Sequence, residues 1–386
     1  MAAGMKHSQR MHKAMLVICA FAGVAAFVRL FLIALGQSHD FEVYWNAAVS
    51  LISGVSPYNS SQGLMSANPG FVFKYPPWVL PFFAPFAFLS WSAAKAVWAL
   101  GEIVALLYAV VWTARKGSLS AALLGFGMFW WIWIGHFASG QVTLLILAAA
   151  LFLGSSKKSL VLLGLIFSSK VFSLVTLLGF GRRVFNARVI LGFIIAASLL
   201  TGIVVLAIPG HSVSALVREW ILAAGSGGAE LGAEVVRGPA NHGFTAFFLR
   251  LFDADPRSSE YDLMAFMVLS ALLGFLWNRF SGFLSFEERW SGWLALGVLV
   301  HPLAWHHSFV LVYPLCVLAI AKAVEANTPR YFVSALVGTA MIGLFIPELF
   351  GSSAVRPLEL AGIKAWGTCL CAFSLVRAQQ CFRMAT

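Results

Sequence analysis

The sequence predicts an all-α, polytopic membrane protein of about twelve transmembrane helices, and three observations carry that prediction. Hydrophobic residues make up 60% of the 386-residue chain and charged residues 11%, with a mean hydropathy of +0.86. A soluble fold of this size could not keep that much apolar surface from water. The formal net charge of +11 comes as short basic clusters between apolar runs, the pattern of cytoplasmic membrane loops, so nucleic acid is not the expected partner. No polar stretch reaches domain length, and residues 1–386 read as one membrane domain.

Each element follows from where the basic residues must lie. Residues 1–13, with Lys6, Arg10 and Lys13, form a cytoplasmic tail. The run from 14 to 36 is the first crossing, too long for a signal-peptide core and without a small-residue cleavage site. A first outer loop, 37–95, opens on HDFEVYWNAAVSLI, where Phe41, Tyr44, Trp45, Ala48, Leu51 and Ile52 recur at helical spacing. This predicts an amphipathic helix on the outer face, with Asp40 as its N-cap in the simplest structural role, and GVSPYN ends it. Four prolines, at 76, 77, 81 and 85, make the segment 75–91 interfacial or re-entrant, because lipid cannot replace the hydrogen bonds that proline removes. Were it to cross, Arg115, Lys116, Lys157 and Lys158 would all face outward. The next crossings are 96–114, 119–135 and 141–154. The run 159–181 is interrupted by Lys170 and reads as two half-helices meeting there. A crossing at 188–208 leads to a second large outer segment, 209–261. Crossings at 263–277, 283–300, 306–321, 331–346 and 359–376 return the C-terminus to the cytoplasm.

That topology collects Asp40, Glu42, Lys74, Tyr75, His136, Gln141, Asn241, His242, His301, His306 and His307 at one face, with Lys170 reaching it from the break. The five cysteines lie in or near apolar runs without metal-ligand spacing, and three histidines in HPLAWHH lack a cysteine or acid beside them. No metal and no cofactor are expected. No glycine-rich loop opens a helix after a strand, so a nucleotide is not expected either.

Seven stretches resemble, in order, the motif series of glycosyltransferase family 87: DFEVYW with Asp40, GVSPYN, KYPPWVLPFFAP, GQVTLLIL, SSKVFSL with Lys170, NHGF followed by LRLF, and HPLAWHHSFVLVYP. The resemblance runs from His39 to Pro314. It implies a GT-C-type membrane fold and a sugar donor carried on a polyprenyl phosphate, commonly mannose. It further implies a glycolipid or glycan acceptor, at the non-cytoplasmic, periplasmic face of the inner membrane. The resemblance also implies that an acid in the first outer loop is the catalytic carboxylate, which is Asp40 here.

The residue types suit that chemistry on their own. An attacking hydroxyl needs a carboxylate to take its proton, which selects Asp40 and then Glu42. A departing lipid phosphate needs a cation, which selects Lys170 and, more weakly, Lys74. Tyr44, Tyr75, His136, Gln141, Asn241, His242, His301, His306 and His307 are the candidate substrate-binding residues. Structural alternatives stand beside them: a snorkelling Lys170, and interhelical or capping roles for Gln141 and Asn241. Other lipid-linked sugars, such as arabinose or glucose, use the same chemistry. A secondary transporter would need polar groups deep in several spans, whereas Glu102 is the clear acid within one. An assembly protein that only binds a lipid carrier would leave Asp40 dispensable.

Overall fold

The computed structural model describes residues 22–58, 73–154, 159–225, 237–252 and 259–385. The expected cytoplasmic tail, Cys19, Lys157 and Lys158, and parts of both outer segments lie outside these residues.

Helices dominate. Among the described residues the extended pairing is an isolated antiparallel bridge between Asn241 and Trp305. Helix α1 (Ala22–Gly36) bends by 53° into α2 (His39–Ile52). A proline-rich segment, Pro77–Phe88, then alternates 3-10 and α turns. Next come α3 (Trp91–Lys116), α4 (Leu119–Met128), α5 (Trp130–Ser139), α6 (Thr143–Leu153) and α7 (Leu160–Ser168). A 3-10 run, Val171–Phe185, follows the break at Lys170, whose φ of −117° and ψ of 88° lie outside the helical region. Then come α8 (Ala187–Ala207), α9 (Val213–Gly225), α10 (Phe244–Leu251), α11 (Ser259–Phe280) and α12 (Phe286–Leu299). A 3-10 turn, His306–Val312, leads into α13 (Tyr313–Glu325), followed by α14 (Pro329–Gly343), α15 (Ser352–Leu360) and α16 (Ile363–Ala385).

Four helices among the described residues are long and apolar enough to cross a membrane: Trp91–Lys116, Ala187–Ala207, Glu260–Phe280 and His306–Glu325. Counting each bent pair as one span raises this to seven. The proline-rich segment, at about 1.5–2 Å per residue, falls short of the ~30 Å hydrocarbon layer. His306–Glu325 forms the centre of the bundle, with 78% of its apolar window buried. Ala187–Ala207 lies at the periphery, and its exposed Leu191, Ile195, Leu199 and Leu206 face where lipid would be.

The run expected as one crossing over 119–135 is instead broken, with a bend of 63° between α4 and α5. Apolar periodicity continues through the break, so it leaves no trace in the sequence. Its cause is tertiary: Gly343 at the end of α14 meets the backbone here, where an added Cβ would collide with the Met128 carbonyl oxygen. Trp133 Nε1 donates to the Phe126 carbonyl at 3.1 Å, satisfying an acceptor next to the bend. A Gly343→Ala substitution is therefore expected to lower stability by about 3 kcal/mol, the upper range for overpacking, because the obstacle is backbone. Gly127→Ala, with nothing within 4 Å of the added carbon, is the control that should leave the thermal midpoint nearly unchanged. Equal midpoints for the two variants would refute this account of the break.

The last crossing likewise begins later than 359, since α15 and α16 are bent by 64° with Gly362 at φ 74° between them. Within the expected second outer segment, 209–261, the described residues form helices α9 and α10, and α11 begins at Ser259.

Basic residues meet at one end of the bundle. Lys116 pairs with Glu287, Lys322 with Glu288 and Glu325, and Arg383 donates to the Phe283 carbonyl. The polar cluster described next lies at the other end of α12.

Candidate functional site

A second, aromatic core fixes α2. Phe41 stacks on Trp98 at 4.7 Å between centroids, Tyr44 on Phe83 at 4.8 Å, and Trp45 Nε1 donates to the Phe86 carbonyl. The expected amphipathic helix is present, but Asp40 is not its cap. Ser38 holds that position in the left-handed conformation at φ 69°, its side chain caps no helix amide, and its hydroxyl turns back to the Ala34 carbonyl. The 53° bend produces this: Ser38 N–H donates to the Ala138 carbonyl at 2.8 Å instead of continuing α1. Asp40 therefore stands in the first helical turn with its carboxylate available to other partners.

The partner is the turn after α5. Gly140 adopts φ 68°, where an L side chain would be strained, and an added Cβ would come within 3.0 Å of Phe41 Cβ. This close approach aims Gln141 at α2. Gln141 Nε2 donates to Asp40 Oδ2 at 2.6 Å, and Gln141 Oε1 accepts from the Tyr44 hydroxyl at 3.2 Å. The Tyr44 and Tyr75 hydroxyls are 2.7 Å apart. Two residues beyond Gln141, Thr143 accepts a hydrogen bond from Lys170 Nζ at 2.8 Å. One turn thus tethers the carboxylate and the ammonium, and the two interact electrostatically. Trp78 Nε1 donates to Ser168 Oγ at 2.7 Å, anchoring the proline-rich segment beside the break at Lys170. Burial raises the Asp40 pKa above the ordinary carboxylate value, while the Gln141 hydrogen bond and the charges of Lys170 and His39 act against that rise.

The histidines occupy the floor. Asn241 clamps their loop with both ends of its amide, donating to the Pro302 carbonyl at 2.6 Å and accepting from Ala304 N–H at 3.0 Å. Gly243 lets the two strands of backbone meet, since a Cβ there would lie 3.0 Å from the His301 carbonyl oxygen. His301 Nδ1 accepts from Leu303 N–H, His306 Nε2 contacts the Trp131 carbonyl at 3.0 Å, and His307 Nδ1 lies 3.4 Å from Ser139 Oγ. Lys170 acts electrostatically on His136, His301 and His307. His242 is buried, its ring 6.2 Å from that of His306.

Several expected residues sit differently from a rim lined by ligand-facing groups. Gln141 and Asn241 are interhelical and backbone clamps. His136 has no exposed surface and faces Glu102 of α3, also without exposed surface, at 3.1 Å. Glu42 lies two residues, or about 200°, round α2 from Asp40. Lys74 sits at the edge, where its carbonyl accepts from Trp220 Nε1.

Sequence reasoning overlooked Thr143, the Glu102–His136 pairing and Lys364. A buried acid in an apolar helix implies a partner, so His136 could have been proposed for Glu102. Lys364 is fully buried and donates to the Ile342 carbonyl at 2.9 Å, satisfying the end of α14. Its position after Gly362 gave no such signal.

The sequence profile of glycosyltransferase family 87 matches residues 73–305, more than half of the chain. The chain belongs to glycosyltransferase family 87. Neither the curated proteins nor the solved structures compared with it give a match. As a family 87 member it is a membrane glycosyltransferase. The family match begins at Phe73 and ends at Trp305, so it covers Gln141, Lys170, Asn241 and His301 but not Asp40 or His306. Geometry, through Gln141, is what joins Asp40 to the family core.

Proposed function

We propose that this glycosyltransferase moves a hexose, mannose being the first candidate, from a polyprenyl-phosphate donor to a glycolipid or glycan hydroxyl. The reaction takes place on the periplasmic face of the inner membrane, in a GT-C-type bundle of about twelve transmembrane helices. The observation that carries the reading is the tethering of Asp40 and Lys170 to one turn, through Gln141 at 2.6 Å and Thr143 at 2.8 Å.

Chemically, the acceptor oxygen attacks the anomeric carbon as its proton passes to Asp40. The bond from that carbon to the phosphate oxygen breaks, and its electron pair leaves with the polyprenyl phosphate. Lys170 stabilises the charge that develops there. Tyr75 and the histidine loop are the groups assigned to hold the sugar. Supporting the choice of a lipid-borne donor is the absence, in the sequence, of any glycine-rich phosphate loop.

The purified protein in lipid is expected to release free polyprenyl phosphate from a panel of polyprenyl-phosphate sugars and to leave nucleotide sugars unconsumed. Chromatography of the lipid products reads the first outcome, and nucleotide release the second. Direct consumption of a nucleotide sugar would overturn the donor assignment.

A further inference from the structure

At the basic end of the bundle lies a cavity of about 300 Å³ that the transfer chemistry does not use. Its wall is Arg182 and Arg183 from the 3-10 run, Asn278 from α11, and Arg289 from α12, over a floor that includes Phe286 and Trp293. Gly181, at φ 60°, bends the 3-10 run so that the two arginines line the cavity. Arg289 and Leu299 are ten residues apart on α12, so about 15 Å separates this cavity from the histidine end.

The charge is one-sided. Among the described residues no acid lines the cavity, and the nearby acids of α12 are engaged elsewhere: Glu287 holds Lys116, while Glu288 closes a capping box on Ser285 and faces Lys322. Among the described residues neither Arg182 nor Arg183 has an ion-pair partner. Three guanidiniums lining one cavity without a carboxylate among them repel one another, and an anion held between them would relieve that repulsion. The size lies at the small end of ligand pockets, enough for a headgroup or a compact anion. Beside it, α11 is mostly outward-facing, with Phe275 and Phe280 exposed, so the cavity adjoins the lipid-facing surface.

We propose that this cavity binds a phosphate anion of the kind an anionic phospholipid headgroup presents. Three guanidiniums supply charge-assisted, bidentate donors, Asn278 a neutral one, and the neighbouring apolar face of α11 accommodates acyl chains. The inference is independent of the donor and acceptor assigned above, because it involves none of the residues near Asp40.

Native mass spectrometry of the full chain, with phosphatidylglycerol or phosphatidylcholine supplied in equal amounts, tests it. The expected result is selective retention of phosphatidylglycerol, reduced about tenfold or more in Arg289→Gln and in the exposed double variant Arg182→Gln/Arg183→Gln. The double variant alters exposed side chains, so unfolding cannot account for its loss. A parallel arm titrates inorganic phosphate: displacement of the lipid by phosphate, or phosphate-induced thermal stabilisation lost in the same variants, supports the anion site with a soluble source. Equal retention of the two lipids with no phosphate effect, or retention unchanged in both variants, overturns the proposal.

Discussion

Asp40→Asn is expected to abolish most sugar transfer while leaving the protein folded. Removal of a general base lowers rates by ~10²- to 10⁴-fold. Asparagine fills the same space, and its carbonyl can still accept from Gln141. Because burial raises the Asp40 pKa, the ionised form is less favourable in the native state than it would be in water. For an acid with a raised folded pKa, stability declines as pH rises from the unfolded value through the folded one. A neutral asparagine escapes that decline, so the variant should melt at the same temperature or higher at neutral pH. In the wild type the acid limb of the rate profile should lie above the ordinary carboxylate range, since the base must be ionised to act. Glu42→Gln is expected to do far less, because its position about 200° round the helix points it away from Gln141. Turnover measured at matched donor occupancy separates these outcomes. Normal rates in Asp40→Asn would remove Asp40 from the chemistry.

Lys170→Gln is expected to lower kcat by ~10²- to 10³-fold, the usual effect of deleting one preorganised stabiliser of developing charge. KM for the donor should change much less if the interaction strengthens as the phosphate leaves. A snorkelling anchor would behave in the opposite way: insertion and thermal stability would fall and kcat per folded molecule would hold. Steady-state kinetics on the monodisperse fraction decides between the two, and an unchanged kcat sinks the catalytic role.

What could be read from the sequence is what lipid penalises. Charges such as Asp40 and Lys170 beside apolar runs must be neutralised or used, so they mark a candidate site without knowledge of the fold. Prolines in KYPPWVLPFFAP announce a segment unable to span for a similar reason. Features that depend on distant contacts stayed hidden. The break at Phe129 is set by Gly343, more than two hundred residues away, and the left-handed Ser38 that displaces Asp40 from the cap depends on the Ala138 carbonyl. The partnership of Gln141 with Asp40 spans 101 residues and was read only as membership of the same face. Asn241 and Gly243 were legible as a motif but not as the clamp beneath the histidines.

The row of groups running from Tyr75 to Asp40 has a sense of direction. A carboxylate only accepts, so the Gln141 amide nitrogen must face Asp40 and its oxygen must face Tyr44. Tyr44 has a single proton and gives it to that oxygen, which leaves its own oxygen to receive from Tyr75. Every dipole in the row then points the same way, and such arrays strengthen one another. The negative charge on Asp40 is thereby felt two side chains back at a phenol that never touches it, and protonating Asp40 would release the constraint on the whole row at once.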